Sequence, residues 1–153
     1  MRIAPLTREH ALDVCTWTYP APYDRYDMTG ADPDVLLAPD TGMHALLEGD
    51  RLVGFRSFGP DGRVPGWEYD ESALDTGGGL RPELTGRGLG RRAIETGLAF
   101  GRERFAPPAF RMTVATFNTR ALRVVESLGF ARAGRFDAAT DGGSFEVLVR
   151  PER

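Results

Sequence analysis

The sequence predicts one α/β domain that spans residues 1–153. Segments with strand character alternate with amphipathic segments, in the order βααββ followed by βαβαββ. The hydrophobic content of 41% and the charged content of 27% are ordinary for a globular protein, and 153 residues are enough to bury a full core. A glycine-rich turn follows the central strand and precedes the longest helix, an arrangement typical of phosphate-binding sites in α/β proteins.

In the first half of the chain, weak alternation over residues 2–6 indicates an edge strand. Thr7 is a suitable N-cap for a helix over residues 8–17. Two prolines and three tyrosines within residues 18–30 predict a loop, because proline interrupts a helix. A short helix is expected over residues 31–37.

A hairpin is predicted next, with strands over residues 43–48 and 51–58 on either side of the turn dipeptide Gly49-Asp50. A loop rich in glycine and proline follows over residues 59–66. The second half then contains a central strand, a long helix, a strand, a second helix and a closing hairpin, over residues 73–80, 88–105, 110–117, 119–128, 130–136 and 144–150.

Residues 80–90, LRPELTGRGLG, form the glycine-rich turn and predict a phosphate site. The first turn of a helix leaves backbone N–H groups unpaired and carries partial positive charge. Glycine lets the backbone approach an anion closely, since no Cβ intervenes. Arg87, Arg91 and Arg92 add full positive charges, so the expected ligand carries a di- or polyphosphate.

Two common phosphate motifs fit this turn poorly. A Walker P-loop requires a lysine, and the chain contains none. Gly88, Gly90 and Ala93 fit the dinucleotide pattern G-x-G-x-x-[GA] literally. However, the turn lies past mid-chain, and no acidic residue ends the next strand near Phe117 to hold a ribose.

Two segments in the right order resemble the motifs of the GNAT acetyltransferase superfamily. Residues 85–90, TGRGLG, are similar to its acetyl-CoA motif [QR]-x-x-G-x-[GA], with Thr85 in place of the usual Gln or Arg. Residues 114–130, VATFNTRALRVVESLGF, are similar to the strand, asparagine and helix that follow it. The resemblance implies the GNAT fold, a mixed and mostly antiparallel sheet that splays at the acetyl-CoA site, with helices on both faces.

The same resemblance implies an acetyl-CoA-dependent N-acetyltransferase that acts on a primary amine of a small molecule, a peptide or a protein. The alternative is a non-catalytic domain that binds acyl-CoA or has a regulatory role. In the family, the backbone of the central strand holds the pantetheine and acetyl group, here Gly79, Leu80 and Arg81. The turn that holds the pyrophosphate corresponds to Thr85, Gly86, Arg87, Gly88, Leu89, Gly90 and Arg91. Asn118 corresponds to the residue that touches the pantetheine arm.

The proton-transfer residues are less clear from the sequence. Many family members carry a tyrosine as general acid where this chain has Val125. Three outcomes are open: Tyr19, Tyr23 or Tyr26 of the N-terminal loop replaces it, water replaces it, or the chain binds acyl-CoA and is a poor catalyst. Asp75 lies on the central strand where related enzymes often carry a carboxylate, which makes it a candidate general base. The simpler interpretation of Asp75 is an aspartate that caps local backbone at the start of a strand.

Other base candidates have simpler interpretations as well. His44 is expected to be a packed or surface histidine, and Glu68 belongs to an acidic cluster typical of a solvated loop.

Residues 17–28, WTYPAPYDRYDM, occupy the region that covers the acceptor in the family. Aromatic rings beside Asp24 and Asp27 suit a cationic amine, through ring faces and ion pairing. Alternatively, these aromatic side chains anchor the loop onto the core.

Composition limits the partners. A net charge of −3 argues against nucleic acid, and no apolar run approaches membrane length. The start of the chain lacks the apolar core of a secretion signal, and the single Cys15 cannot form an internal disulfide, so a cytoplasmic setting is expected. We expect no bound metal, and a monomer or a homodimer.

Overall fold

The computed structural model describes residues 1–152. These residues form a seven-stranded sheet in the order β1-β2-β3-β4-β5-β7-β6, with helices on both faces. The strands are β1 (Arg2–Pro5), β2 (Met43–Glu48), β3 (Arg51–Phe58), β4 (Leu74–Leu80), β5 (Ala109–Ala115), β6 (Ala131–Asp137) and β7 (Ser144–Pro151). The α-helices are α1 (Arg8–Val14), α2 (Pro33–Leu36), α3 (Leu89–Phe105) and α4 (Thr119–Ser127). Every predicted strand and helix is confirmed, with shifts of one to three residues at most ends.

Helix α1 ends earlier than predicted, at Val14 rather than at residue 17. Thr7 is its N-cap, as expected, and accepts a hydrogen bond from the backbone of His10. At the other end, the hydroxyl of Thr16 donates to the Asp13 carbonyl at 2.7 Å, and the indole of Trp17 donates to the Asp13 carboxylate at 3.0 Å. These local bonds offer the backbone an alternative to another helical turn.

The two faces of the sheet carry different helices. Neighbouring residues of a strand point to opposite faces, so they pack against different helices. On β2, Ala45 and Leu47 pack with helices α1 and α2, whereas Leu46 packs with Ala93 of α3. Helices α3 and α4 share the main core with β5 and β7 around the fully buried Phe110. None of the helices in residues 1–152 has the length and apolarity that a bilayer crossing requires.

Strands β4 and β5 are the one parallel pair in the described sheet, and they separate after a short contact. They pair only at Leu74 with Phe110 and at Asp75 with Arg111. Beyond these positions β4 continues to Leu80 and β5 to Ala115 without pairing to each other. The splay predicted from the family resemblance is therefore present, and it opens a cleft in the middle of the sheet.

Candidate active site

The cleft between the splayed strands has a volume of about 1000 Å³. Its walls are residues 76–80 of β4 and residues 112–115 of β5. The first turn of α3 and one side of α4 close it on one face of the sheet, and residues from the segment 19–28 border it on the other. It is closed at the apex where the two strands pair, and it is open at their carboxyl ends.

The glycine turn lies at the open end of the cleft with its backbone uncovered. Gly86 and Gly88 have φ angles of 73° and 79°, the left-handed region that favours glycine, and Gly88 is the N-cap of α3. A Cβ built at Gly88 or at Gly90 would meet no atom within 4 Å. Within residues 1–152 no side chain caps this helix end, so its first N–H groups are free to bind an anion.

The predicted phosphate residues divide into two groups. Thr85, Gly86, Gly88, Gly90 and Arg91 line the cleft, whereas Arg87 and Leu89 lie outside its lining. The guanidinium of Arg91 donates to the Ser127 hydroxyl at 2.7 Å and pairs with Glu95 at 2.8 Å. The hydroxyl of Thr85 donates to the Pro82 carbonyl at 2.8 Å, so this residue, which replaces the usual Gln or Arg, supports the turn.

Arg120 is a cation at this end that the sequence interpretation missed. It lies in the first turn of α4 and lines the cleft, and a Cβ on Gly86 would lie 3.2 Å from its Nη1 atom. Its guanidinium lies over the ring of Tyr23, 4.6 Å from the centroid. An arginine just after Asn118 in the second motif was the available signal.

Backbone groups of β4 face the cleft at alternate residues. The N–H of Arg81 donates to Val53 on β3 at 2.8 Å, and the carbonyl of Asp75 accepts from Gly59 at 2.8 Å, so odd-numbered residues bond towards β3. The N–H groups of Gly78 and Leu80 consequently point into the cleft. The predicted set of Gly79, Leu80 and Arg81 is therefore corrected: the N–H groups that face the cleft belong to Gly78 and Leu80, not to Gly79 and Arg81.

The side chain of Arg81 has a structural role on the other face. It donates to the Leu52 carbonyl at 2.8 Å, pairs with Asp13, and lies 5.1 Å from the centre of the Trp17 ring. Both its backbone N–H and its guanidinium are therefore engaged away from the cleft. Gly78, the middle glycine of three, takes the place of Arg81 among the residues whose backbone N–H groups face the cleft.

Asp75 does not face the cleft, and this contradicts its predicted role as general base. It is 2% exposed, and its carboxylate accepts from Arg111 at 2.7 and 2.8 Å and from Arg63 at 2.8 Å. Both oxygens are thus occupied by arginine side chains, and Asp75 lies outside the lining of the cleft. The interpretation of Asp75 as a structural residue is nearer to the structure, although its partners are arginine side chains rather than local backbone.

His44 and Glu68 also lie outside the lining of the cleft. His44 packs between Phe58 and Phe100, with ring centroids 5.7 and 4.9 Å away, and its Nδ1 atom lies 2.9 Å from the Gly42 carbonyl. Val125, at the usual place of the acid, is fully buried in the core formed by α3, α4 and β5.

Asn118 lines the cleft, but its side chain is already engaged. It caps helix α4 by accepting from the Ala121 N–H at 3.1 Å, and its amide donates to the Tyr26 hydroxyl at 3.3 Å. These bonds tie the end of β5 to the N-terminal loop. A pantetheine contact through Asn118 stays a prediction.

The three tyrosines of the N-terminal loop all border the cleft. The hydroxyl of Tyr19 donates to the Leu80 carbonyl at 2.6 Å, and burial, with the charges of Asp27 and Glu83, raises the pKa of Tyr19 to about 12. Burial also raises the pKa of Tyr26, which stacks on Phe117. Tyr23 lies against the other side of this aromatic group, 5.8 Å from the Phe117 centroid.

The two acidic residues of the loop have different positions. Asp27 lines the cleft and accepts a hydrogen bond from the Tyr19 backbone at 2.7 Å, whereas Asp24 is exposed and lies outside the lining. Arg25 also enters the mouth, where it pairs with Asp141 at 3.5 Å and lies over the rings of Phe117 and Phe145. The aromatic residues therefore both anchor the loop and border the cleft.

Comparison with known proteins gives a consistent result. The model of the acetyltransferase (GNAT) family matches residues 7–130. The N-alpha-acetyltransferase RimI of Mycobacterium tuberculosis is 32% identical over 99 residues, which cover 65% of this chain and 58% of that relative. The aligned part is thus less than two thirds of the relative's length.

Solved structures share the fold at low sequence identity. An acetyltransferase of the GNAT family from Bacillus anthracis superposes with a TM-score of 0.74 at 17% identity, over 97% of this chain and 93% of its own. An aminoglycoside acetyltransferase in complex with coenzyme A gives a TM-score of 0.75 at 16% identity, over 99% of this chain and 94% of its own.

Proposed function

This chain belongs to the GNAT family of acetyl-CoA-dependent N-acetyltransferases, and we propose that it transfers the acetyl group of acetyl-CoA to a single primary amine that enters from the Tyr23 side of the cleft. The observation that carries the proposal is the continuity of the cleft. It runs from an uncapped helix N-terminus, along a strand edge with free N–H groups, to a mouth lined by aromatic rings.

Acetyl-CoA fits this layout in one direction. Its pyrophosphate binds the free N–H groups between Gly86 and Arg91, where Arg120 adds charge from the opposite side. Its pantetheine arm follows β4 and hydrogen-bonds to the N–H groups of Leu80 and Gly78. The thioester then lies near Gly78, with the acyl group directed towards the apex.

The charge of the lining favours an acceptor with one amine. Among the described residues, the cleft is lined by five arginines and by one carboxylate, that of Asp27. A polyamine or an aminoglycoside carries several positive charges, and this lining offers a single carboxylate to pair with them. The relative RimI is named an N-alpha-acetyltransferase, a name that specifies an α-amine, and this supports a peptide N-terminus as the acceptor class.

Proton transfer must proceed without a tyrosine at position 125. The amine nitrogen attacks the thioester carbonyl carbon, the C–S bond breaks, and its electron pair leaves on sulfur as the thiolate of coenzyme A. The Tyr19 hydroxyl already donates its proton to the Leu80 carbonyl, whereas the Tyr26 hydroxyl accepts from Asn118 and keeps its own proton. Tyr23 and Tyr26 are therefore the candidates that return a proton to the thiolate. Because Asp75 lies outside the lining of the cleft, we propose that the ammonium loses its proton to water in the mouth, beside Asp27.

Calorimetric titration with acetyl-CoA tests the first half of the proposal. Gly88→Val introduces a branched side chain where phosphate would approach and should weaken binding by at least about 10-fold. Gly142→Val is the matched control, because Gly142 has a φ angle of 77° and equally open surroundings, and lies in the β6–β7 turn. Equal affinity in the two variants would contradict the phosphate site.

Thiol release with a panel of amines tests the second half. Coenzyme A should be released from acetyl-CoA when the acceptor is a peptide with a free N-terminus, but not when the N-terminus of the same peptide is acetylated. Spermidine should be a poor acceptor. Binding of acetyl-CoA without thiol release for any amine would favour the non-catalytic alternative. Cytoplasmic location, the absence of nucleic acid as a partner, and a monomeric or homodimeric state stay predictions of the sequence.

A further inference from the structure

Arg56 is a buried arginine at the apex of the cleft, and none of residues 1–152 gives it a carboxylate partner. It is 4% exposed, its Nη2 atom donates to the neutral hydroxyl of Thr76 at 3.0 Å, and its Nε atom has no hydrogen-bond partner within residues 1–152. Burial alone lowers the pKa of Arg56 to about 10. An uncompensated buried cation is costly, so its presence requires an explanation.

A second buried arginine provides the comparison. Arg111 is also 4% exposed and lies on β5, beside the same apex. Its guanidinium is neutralised by two hydrogen bonds that it donates to Asp75 and by a third contact with Asp70. The fold therefore neutralises one of its two buried arginines at this point and leaves the other, on the α3 side, with a free charge.

The surroundings of Arg56 are shaped to hold it at the cleft. A Cβ on Gly78 would lie 2.8 Å from its Cδ and 2.9 Å from its Nη1 atom, and a Cβ on Gly97 would lie 3.2 Å from its Nε atom. The absence of side chains at Gly78 and Gly97 thus leaves the space that the Arg56 side chain occupies beside the cleft. Thr76, which orients the guanidinium, is the first residue of β4 beyond its last pair with β5.

The acyl group of a bound donor would point at this guanidinium. This step depends on the proposed function, in which the pantetheine follows Leu80 and Gly78 and the acyl group is directed towards Thr76. An acetyl methyl group would leave the charge of Arg56 unpaired. A short acyl chain that ends in a carboxylate would meet it with a charged, bidentate partner.

We infer that the cleft also accepts, and binds more tightly, a CoA thioester of a short dicarboxylic acid such as succinyl-CoA, whose distal carboxylate pairs with Arg56. In the transfer, the amine forms a C–N bond to the thioester carbonyl carbon and the C–S bond breaks with its electron pair on sulfur. The proton lost by the amine balances the one that coenzyme A gains. The distal carboxylate is unchanged, and the product is an amide with a free acid.

The test compares two donors with four-carbon acyl groups, one charged and one neutral. Calorimetry on the whole chain with succinyl-CoA and butyryl-CoA requires no acceptor amine. We expect succinyl-CoA to bind about 10- to 100-fold more tightly, the range of a charged hydrogen-bonded pair. Arg56→Met should abolish or invert this preference, while Arg51→Met, the same change at an exposed position of β3, should keep it.

The outcomes separate the two proposals. If no CoA compound binds the unaltered chain, the proposed function fails. If acetyl-CoA binds but succinyl-CoA has no advantage over butyryl-CoA, only this inference fails, and that comparison stands even if Arg56→Met does not fold. A preference that persists in Arg56→Met, or an equal loss for every donor, would also overturn it.

Discussion

Replacement of Asp75 by asparagine distinguishes a structural residue from a catalytic one. The substitution keeps the shape of the side chain and removes the charge that accepts three bonds from Arg111 and Arg63. Arg111 would stay buried, with only the exposed Asp70 as an acidic partner. Loss of one partner of a buried pair costs about 3–5 kcal/mol. For a chain of this size that corresponds to a fall in Tm of roughly 6–20 °C.

Urea unfolding and acyl transfer, measured on the same preparation, check this prediction. We expect a large loss of stability for Asp75→Asn and nearly normal turnover at a temperature where the variant is folded. Asp70→Asn, which alters an exposed member of the same cluster, should have a much smaller effect on stability. Normal stability together with a loss of turnover of about 10²–10⁴ would refute the reasoning and restore Asp75 as the base.

Three further predictions concern single side chains. Arg56→Met should raise the free energy of unfolding, measured in urea, by up to about 3 kcal/mol. This is the energy that corresponds to lowering an arginine pKa from 12.5 to about 10. Unchanged stability would contradict this prediction. Because the pKa of Tyr19 is raised to about 12 in the folded chain, stability should fall as the pH rises from 10 towards 12, and one phenol should ionise late in an absorbance titration. Tyr19→Phe should remove that late step, and its persistence would assign the step elsewhere. Asp27→Asn should raise the KM for the amine by about 10-fold with little change in acetyl-CoA affinity. Asp24→Asn should change neither quantity. Equal effects of the two substitutions would show that Asp27 does not contact the acceptor.

The order of the elements follows from local sequence. The hairpin of β2 and β3 has the predicted bounds, because the dipeptide Gly49-Asp50 fixes the turn between them. The glycine turn is also local, since positive φ angles at Gly86 and Gly88 depend on their own residue type.

The roles of charged residues depend on partners that are distant in the sequence. Asp75 pairs with Arg111, 36 positions later, and nothing near Asp75 indicates this contact. The register of β4 likewise depends on its pairing with β3, which decides whether Gly78 or Gly79 faces the cleft. Local patterns therefore predict where the cofactor motif lies, but not which side chains are free to act.

Strand β4 contributes both to the wall of the cleft and to the buried ion pair of Asp75 with Arg111. Strand β4 contains three consecutive glycines, and the middle one, Gly78, leaves room for Arg56. Glycine weakens a strand, however, because it loses more backbone freedom on folding. The junction with β5 has only two paired positions, and one of them is Asp75 with Arg111. The ion pair therefore fixes the apex at the point where the splay begins. We therefore expect Asp75 to stabilise the junction rather than to accept a proton, so that its replacement lowers stability and leaves the cleft little changed while the variant is folded.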